Sequence, residues 1–136
     1  MASPAREVGA VDISSDADVV RVRHVVRDAA TSARLSLVDQ TKIVTAASEL
    51  ARNTLTYGGG GRAVVRLEEC GTSSAVEVEF VDEGPGIRDV DLALTDGWTS
   101  GKGMGLGLSG ARRLVDDFDL VTSEAGTHVR ITKRRR

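Results

Sequence analysis

The chain has 136 residues, enough for one domain with a single hydrophobic core and one functional site. Its apolar fraction of 40% and charged fraction of 28% are ordinary for a folded protein, which excludes general disorder. A net charge of -2 and an aromatic content of 3% give no surface suited to nucleic acid. Cys70 is the single cysteine, so an internal disulfide is excluded, and the lack of an apolar leader or span predicts a cytoplasmic protein without membrane contact.

Apolar periodicity and cap residues divide the chain into strands and helices. Ser15 followed by Asp18, and Ser36 followed by Asp39, are cap patterns that begin the first two helices. In chain order the sequence predicts a strand near 8–13, a helix over 16–33, a helix from 36 that ends before the glycines at 58–61, strands near 63–68 and 76–81, a short helix near 89–94, a helix over 108–117, and strands near 119–123 and 127–132. This order favours an α+β fold with helices packed on one face of a mixed sheet.

The two ends of the chain are expected to lie outside the folded domain. Residues 1–6 form a flexible lead, the domain spans 7–133, and residues 134–136 form a basic C-terminal tail. The whole basic run at 133–136 is interpreted as solvated, as short terminal charge runs usually are.

Glu49 and Asn53 lie four residues apart on the second predicted helix, so their side chains project from one face. An amide oxygen can bind Mg²⁺ without adding charge, and a nearby carboxylate can accept a proton from a hydroxyl. Phosphoryl transfer requires both functions. On these two residues alone, a solvated surface pair is the alternative.

Asp82 follows an apolar strand and begins Asp82-Glu83-Gly84-Pro85-Gly86-Ile87, in which glycine and proline turn the backbone away. A carboxylate at this strand end can accept a hydrogen bond from the exocyclic amine of adenine, whereas guanine presents a carbonyl there. The pattern therefore favours ATP over GTP. An Asp-Gly turn that only closes the strand is the alternative.

Residues 101–107 alternate glycine with Lys102, Met104 and Leu106 just before a predicted helix. Amides without side chains, together with a helix N-terminus, favour a triphosphate, to which Lys102 adds a positive charge. Gly103 follows Lys102 where a P-loop has Ser or Thr, and a loop precedes the run where a dinucleotide fold has a strand. Both of those glycine motifs are excluded.

Together these segments resemble the GHKL ATPases, which include gyrase, histidine kinases and the bacterial anti-sigma serine kinases. The boxes are matched in order by Glu49-Leu50-Ala51-Arg52-Asn53 (N box), Asp82-Glu83-Gly84-Pro85-Gly86 (G1), Gly103-Met104-Gly105-Leu106-Gly107-Leu108 (G2) and Gly126-Thr127 (the closing Gly-Thr). The lid segment at 96–100 and the helix at 110–118 are most similar to the RsbT-like serine kinases of the stressosome. The resemblance implies a two-layer α/β sandwich whose sheet is mostly antiparallel.

The resemblance also implies roles for individual residues in a Mg-ATP site. Glu49 is the expected general base, Asn53 the Mg²⁺ ligand, and Asp82 the residue that recognises adenine, with support from Thr127. The other residues that it assigns to the nucleotide are Gly84, Gly86, Ile87, Lys102, Gly103, Met104, Gly105, Leu106, Gly107 and Leu108.

By the same resemblance the chain is a serine/threonine-protein kinase that phosphorylates a STAS-domain antagonist of the RsbS or RsbR type. Once released, it would activate a PPM-type phosphatase of the RsbU type, acting as a monomer that exchanges partners. One alternative is an ATP-gated, anti-sigma-factor-like binding module without robust kinase turnover. The other is a histidine-kinase catalytic domain, which is disfavoured because no helix pair presents a phosphoacceptor histidine; His24 is interpreted as an ordinary histidine of the first helix.

Overall fold

The computed structural model describes residues 5–87, residue 94 and residues 107–136, and its elements follow the predicted order. They are β1 (Arg6–Ile13), α1 (Asp16–Ser32), α2 (Leu37–Thr56), β2 (Gly61–Cys70), β3 (Ser73–Asp82), α3 (Leu108–Leu114), β4 (Asp117–Ser123) and β5 (Gly126–Arg134). The last helix ends before residue 117, since Val115 adopts an extended backbone and Asp117 already begins β4. The short helix predicted near 89–94 lies outside the described residues, apart from Leu94.

The five strands form one sheet in the order β1-β2-β3-β5-β4, and every neighbouring pair is antiparallel. Val65 pairs with Val78, which pairs with Ile131, so one row of buried side chains crosses three strands. Val22 of α1 and Ile43 of α2 belong to the same buried core. The helices therefore cover one face of the sheet, which confirms the predicted α+β sandwich.

Side-chain caps begin both long helices, as the sequence predicts. Oδ2 of Asp18 accepts from the amides of Ser14 (2.9 Å) and Ser15 (3.1 Å), and the Ser14 amide is the main reason why the pKa of Asp18 is lowered. Oγ of Ser36 accepts from the amide of Asp39 at 3.1 Å. Among the described residues, no helix is both long enough and apolar enough to span a membrane.

Lys133 differs from the rest of the basic run that was expected to be solvated, because it is only 4% exposed. Its Nζ lies 3.7 Å from Oδ1 of Asp39 and 3.5 Å from Oδ1 of Asp116. Desolvation acts to raise the pKa of Asp116, but the hydrogen bond from the Arg134 amide and the charge of Lys133 outweigh it and hold that pKa below its ordinary value. This ion cluster ties the end of β5 to the start of α2.

Candidate functional site

The C-terminal half of α2 carries the predicted base and the predicted metal ligand on one side of the helix. Glu49 and Asn53 are one turn apart, and both are partly exposed. The backbone carbonyl oxygen of Asn53 accepts hydrogen bonds from the backbone amides of Tyr57 (2.9 Å) and Gly58 (3.1 Å), and these bonds end the helix. The chain then turns at Gly58 directly beside the end of β3, where Asp82 lies.

Glu49 lies against the glycine that precedes α3. Gly107 has a φ of +70°, and a Cβ atom built there would be 2.7 Å from Oε2 of Glu49. A side chain at this position would both strain the backbone and displace the carboxylate. The Gly107 carbonyl accepts from the amide of Ala111 at 2.8 Å and so begins α3. The last glycine of the predicted phosphate segment is therefore adjacent to the predicted base.

Asp82 ends β3 with its carboxylate held by backbone amides. Its Oδ1 accepts from the amides of Gly84 (2.9 Å) and Thr127 (3.2 Å). Its Oδ2 lies so close to Gly58 that a Cβ atom there would be 2.6 Å away. Two backbone amides thus fix Oδ1, and Oδ2 is the oxygen that can accept a hydrogen bond from a ligand.

A cavity opens beside Asp82 between α2, β3, α3 and β5. Its apolar walls are Leu50, Phe80, Ile87, Leu108 and Val129. Its remaining lining consists of Asn53, Thr54, Tyr57, Gly58, Asp82, Gly86 and Thr127. Apolar walls with a few convergent polar groups are the usual form of a small-molecule site, and the acceptor at Asp82 suits the amine of a purine.

The structure brings most of the predicted nucleotide residues to this region. Those that line the cavity are Asn53, Asp82, Gly86, Ile87, Leu108 and Thr127. Gly84 donates to the Asp82 carboxylate, and Glu49 and Gly107 lie together next to the cavity-lining part of α2. Five further candidates, Lys102, Gly103, Met104, Gly105 and Leu106, lie outside the described residues, as does Trp98, and their roles stay predictions.

Sequence reasoning missed Thr122 and the first glycine of the run at 58–61. Thr122 Oγ1 accepts from the amide of Ile87 at 2.9 Å and lies 2.9 Å from Oγ1 of Thr127. Its signal is weak, because only the pairing of β4 with β5 places it opposite the closing Gly-Thr. From the sequence Gly58 only marks the end of a helix, whereas in the structure its lack of a side chain also makes room for the carboxylate of Asp82.

On its other side, Glu49 lines an open polar groove between α1 and α2. The α1 side of the groove consists of Arg23, His24 and Arg27, and the α2 side of Val44, Thr45, Ser48 and Glu49. Arg23 and Arg27 are exposed and form no ion pair within the part of the chain that the structure describes. The groove is therefore a basic surface that leads to the predicted base.

Comparison with known proteins gives both a family and a relative over nearly the whole chain. Residues 13–133 match the model of the histidine kinase-like ATPase domain. The chain is 36% identical over 125 residues to the serine/threonine-protein kinase RsbT of Bacillus subtilis (strain 168). That alignment covers 90% of this chain and 93% of the relative.

Solved structures share the fold at much lower identity. A protein with RsbU and RsbW domains from Mycobacterium tuberculosis gives a TM-score of 0.64 at 20% identity over 98% of this chain, which spans 34% of that protein. The SiaB–SiaC complex from Pseudomonas aeruginosa gives 0.54 at 15% identity, covering 95% of this chain and 91% of the matched one. The catalytic domain of the histidine kinase ThkA gives 0.53 at 17% identity, covering 93% and 95%.

Proposed function

Because this chain belongs to the histidine kinase-like ATPase domains and, among them, to the family of the serine/threonine-protein kinase RsbT, we propose that it phosphorylates a STAS-domain antagonist protein on Ser or Thr. The family binds ATP, and the γ-phosphate of ATP is the group transferred. The acceptor is a protein of the RsbS or RsbR type. We further propose that the kinase, once released from its antagonist, activates a PPM-type phosphatase of the RsbU type.

The position of Glu49 is the observation that supports transfer to another protein. On one side it contacts Gly107, next to the α2 residues that line the cavity. On the other side it lines the open groove between α1 and α2, which solvent and a folded acceptor can reach. A base between a nucleotide cavity and an open groove suits phosphoryl transfer to an external hydroxyl.

Each end of the nucleotide has its own set of residues in this proposal. Asp82 accepts a hydrogen bond from the adenine amine, and the apolar walls at Phe80 and Ile87 contact the ring. The predicted glycines from Gly103 to Gly107 hold the phosphates through backbone amides. Asn53 offers an amide oxygen and no charge, a donor that Mg²⁺ accepts, and the ion when bound would offset phosphate charge.

The transfer step then needs only one proton acceptor from the protein. The acceptor hydroxyl approaches through the groove, and its oxygen forms the new bond to the γ-phosphorus while the bond to the ADP oxygen breaks. The hydroxyl proton moves to the carboxylate of Glu49, and ADP leaves with its negative charge. In the described part of the chain the groove is open to solvent, and a bound acceptor protein would cover it.

The proposal is tested by incubating the protein with Mg-ATP and the STAS-domain proteins of its own genome, with phosphate on each acceptor followed by intact mass. Glu49→Gln should lower the transfer rate roughly 10²- to 10⁴-fold and leave the Kd of ATP within about twofold, because it removes the base and keeps the shape. Glu68→Gln, an exposed carboxylate on β2, is the matched control and should leave both unchanged.

Two other results point away from this function. Tight ATP binding without transfer to any STAS protein would favour the ATP-gated binding module, which holds a partner and does not phosphorylate it. Loss of ATP binding together with transfer in Glu49→Gln would contradict the role of Glu49 as a base, because that role affects the chemical step alone.

A further inference from the structure

A polar hollow lies at the end of the sheet that is remote from the nucleotide cavity. It has a volume of about 170 Å³ and is formed by the end of α1, the turn between β2 and β3, and Arg135. The hollow and the cavity lie at opposite ends of β3, whose ten residues (Ser73–Asp82) span about 30 Å. The proposed transfer reaction does not use this hollow.

Arg34 lines the hollow from a backbone conformation that glycine usually occupies. It follows the C-cap of α1 with a φ of +59°, and the amide of Leu35 donates to the carbonyl of Ala30 at 3.1 Å. This is the helix ending at which glycine is the common residue, because a side chain strains the backbone there. The Arg34 guanidinium is exposed and has no hydrogen-bond or ion-pair partner in the described parts of the chain. A strained position thus carries a cation that no described residue uses.

Arg135 provides a second cation, which the turn between β2 and β3 holds in place. Its backbone amide donates to the carbonyl of Ser74 at 2.9 Å, and its Nη1 donates to the carbonyl of Thr72 at 2.8 Å. Its two neighbours in the basic run form ion pairs with Asp116 and Asp117, whereas Arg135 has no carboxylate partner among the described residues. The member of the run that keeps its charge unpaired is therefore the one fixed at the hollow.

The uncharged groups around the hollow also suit an anion. The hydroxyls of Ser32, Thr72 and Ser73 line it, and within the described ranges they have no hydrogen-bond partner. The carbonyl of Ala33 at the end of α1, which would repel an anion, already accepts a hydrogen bond from the Ser74 hydroxyl. Hydroxyl donors therefore face the hollow beside the two guanidinium groups.

Glu69 is the carboxylate that lines the hollow, and Arg6 offsets its charge. Its Oε1 lies 3.1 Å from Nη2 of Arg6. Arg34 and Arg135 then remain as two cations without a counter-charge among the described residues. A phosphate group offers several acceptor oxygens in a tetrahedral arrangement, which suits donors on different sides, and guanidinium groups bind it through paired N–H bonds. A carboxylate offers only two oxygens to the same donors.

We propose that this hollow is a second anion site, which binds a phosphate group through Arg34 and Arg135. Because the hollow lies at the far end of β3, the group that it binds is not a phosphate of the ATP in the nucleotide cavity. A bound phosphate joins the end of α1 to the sheet through charge-assisted hydrogen bonds. The phosphate group belongs either to a free phosphorylated small molecule or to a phosphoserine of a partner protein.

Arg34→Gly separates binding from folding. Glycine removes the cation and adopts a φ of +59° without strain, so the melting temperature of the variant in phosphate-free buffer should equal or exceed that of the wild type. Inorganic phosphate is titrated into both proteins in the presence of Mg-ADP, and amide chemical shifts are followed by NMR. The wild type should bind with a Kd of about 1 mM, with shifts at residues 32–35, 71–74 and 135, and the variant should bind at least tenfold more weakly.

Further variants and a second probe complete the test. Arg135→Gln should weaken binding to a similar extent, and Arg62→Gln, which removes an exposed cation at the other end of β2, should leave the Kd unchanged. N-acetyl-phosphoserine amide that binds about tenfold more tightly than inorganic phosphate would identify a phosphoprotein as the source, and equal binding a free phosphorylated molecule. Equal Kd values in the wild type and Arg34→Gly, or no saturable shift at these residues, would overturn the proposal. Neither result depends on whether the chain transfers phosphate to a STAS protein.

Discussion

Replacing Gly107 with alanine should damage the transfer step more than it damages the fold. The residue has a φ of +70°, which costs a side-chain-bearing residue about 1–2 kcal/mol. The new methyl group would lie 2.7 Å from Oε2 of Glu49, so the carboxylate must rotate away by about 1 Å to reach van der Waals distance. A displacement of that size at a catalytic group costs on the order of 10²-fold in rate. We therefore expect a melting temperature a few degrees lower and a transfer rate about a hundredfold lower.

Gly71 provides the matched control for this substitution. It has a similar φ of +61° at the turn between β2 and β3, and a Cβ atom there meets nothing within 4 Å. Gly71→Ala should therefore lose a similar stability in thermal unfolding and keep its transfer rate at saturating ATP. Transfer is measured by intact mass of the STAS acceptor, and ATP affinity by calorimetry. Equal transfer rates in Gly107→Ala and Gly71→Ala would refute the argument that Gly107 leaves room for a functional Glu49.

Two other predictions concern the groove and the buried ion cluster. Reversing both charges with Arg23→Glu and Arg27→Glu should raise the KM for the protein acceptor about tenfold and leave the Kd of ATP unchanged, because the two exposed cations of the groove, which suit acidic groups on an acceptor, would become anions. Arg62→Glu, on the opposite face of the sheet, is the control and should leave the KM unchanged. An unchanged KM in the double variant would contradict the proposal that the acceptor approaches through the groove. Desolvation acts to raise the pKa of Asp116, but a backbone amide of β5 and the charge of Lys133 hold that pKa below its ordinary value in the native state. The ionised carboxylate therefore stabilises the folded protein above about pH 4, and this stabilisation is lost as the pH falls through the lowered pKa. Asp116→Asn should therefore flatten the decline of stability that urea melts measure below about pH 4, and parallel declines in variant and wild type would contradict this.

Much of the fold could be predicted because its signals are local. Cap residues such as Ser36 lie next to the helix that they begin, and the alternation around Val65 and Val78 reports directly which face of a strand is buried. The order of the elements then limits the architecture to few possibilities. The family resemblance, confirmed by the relative at 36% identity, supplied the mostly antiparallel sheet that periodicity alone does not give.

What the sequence could not show depends on contacts between distant residues. Lys133 belongs to a basic run at the end of the chain, and nothing near it in sequence indicates that Asp39 and Asp116 surround its ammonium group. Thr122 likewise comes into contact with Thr127 only when β4 pairs with β5 and places the two residues opposite each other. Motifs identify residues that meet the ligand, whereas the residues that orient them follow from strand register.

The residues that would select the base and those that would perform the transfer lie on different elements. Asp82 and Thr127 are held at the end of the sheet, where backbone amides and paired strands fix them before any nucleotide binds. Glu49 lies on α2 and depends on the turn at Gly107 for its position. Because these two groups share no direct hydrogen bond among the described residues, their effects should be separable. An Asp82→Asn variant should keep its transfer rate at saturating ATP, and a Glu49→Gln variant should keep its preference for adenine; a loss of both properties in either variant would mean that the two ends of the site are coupled.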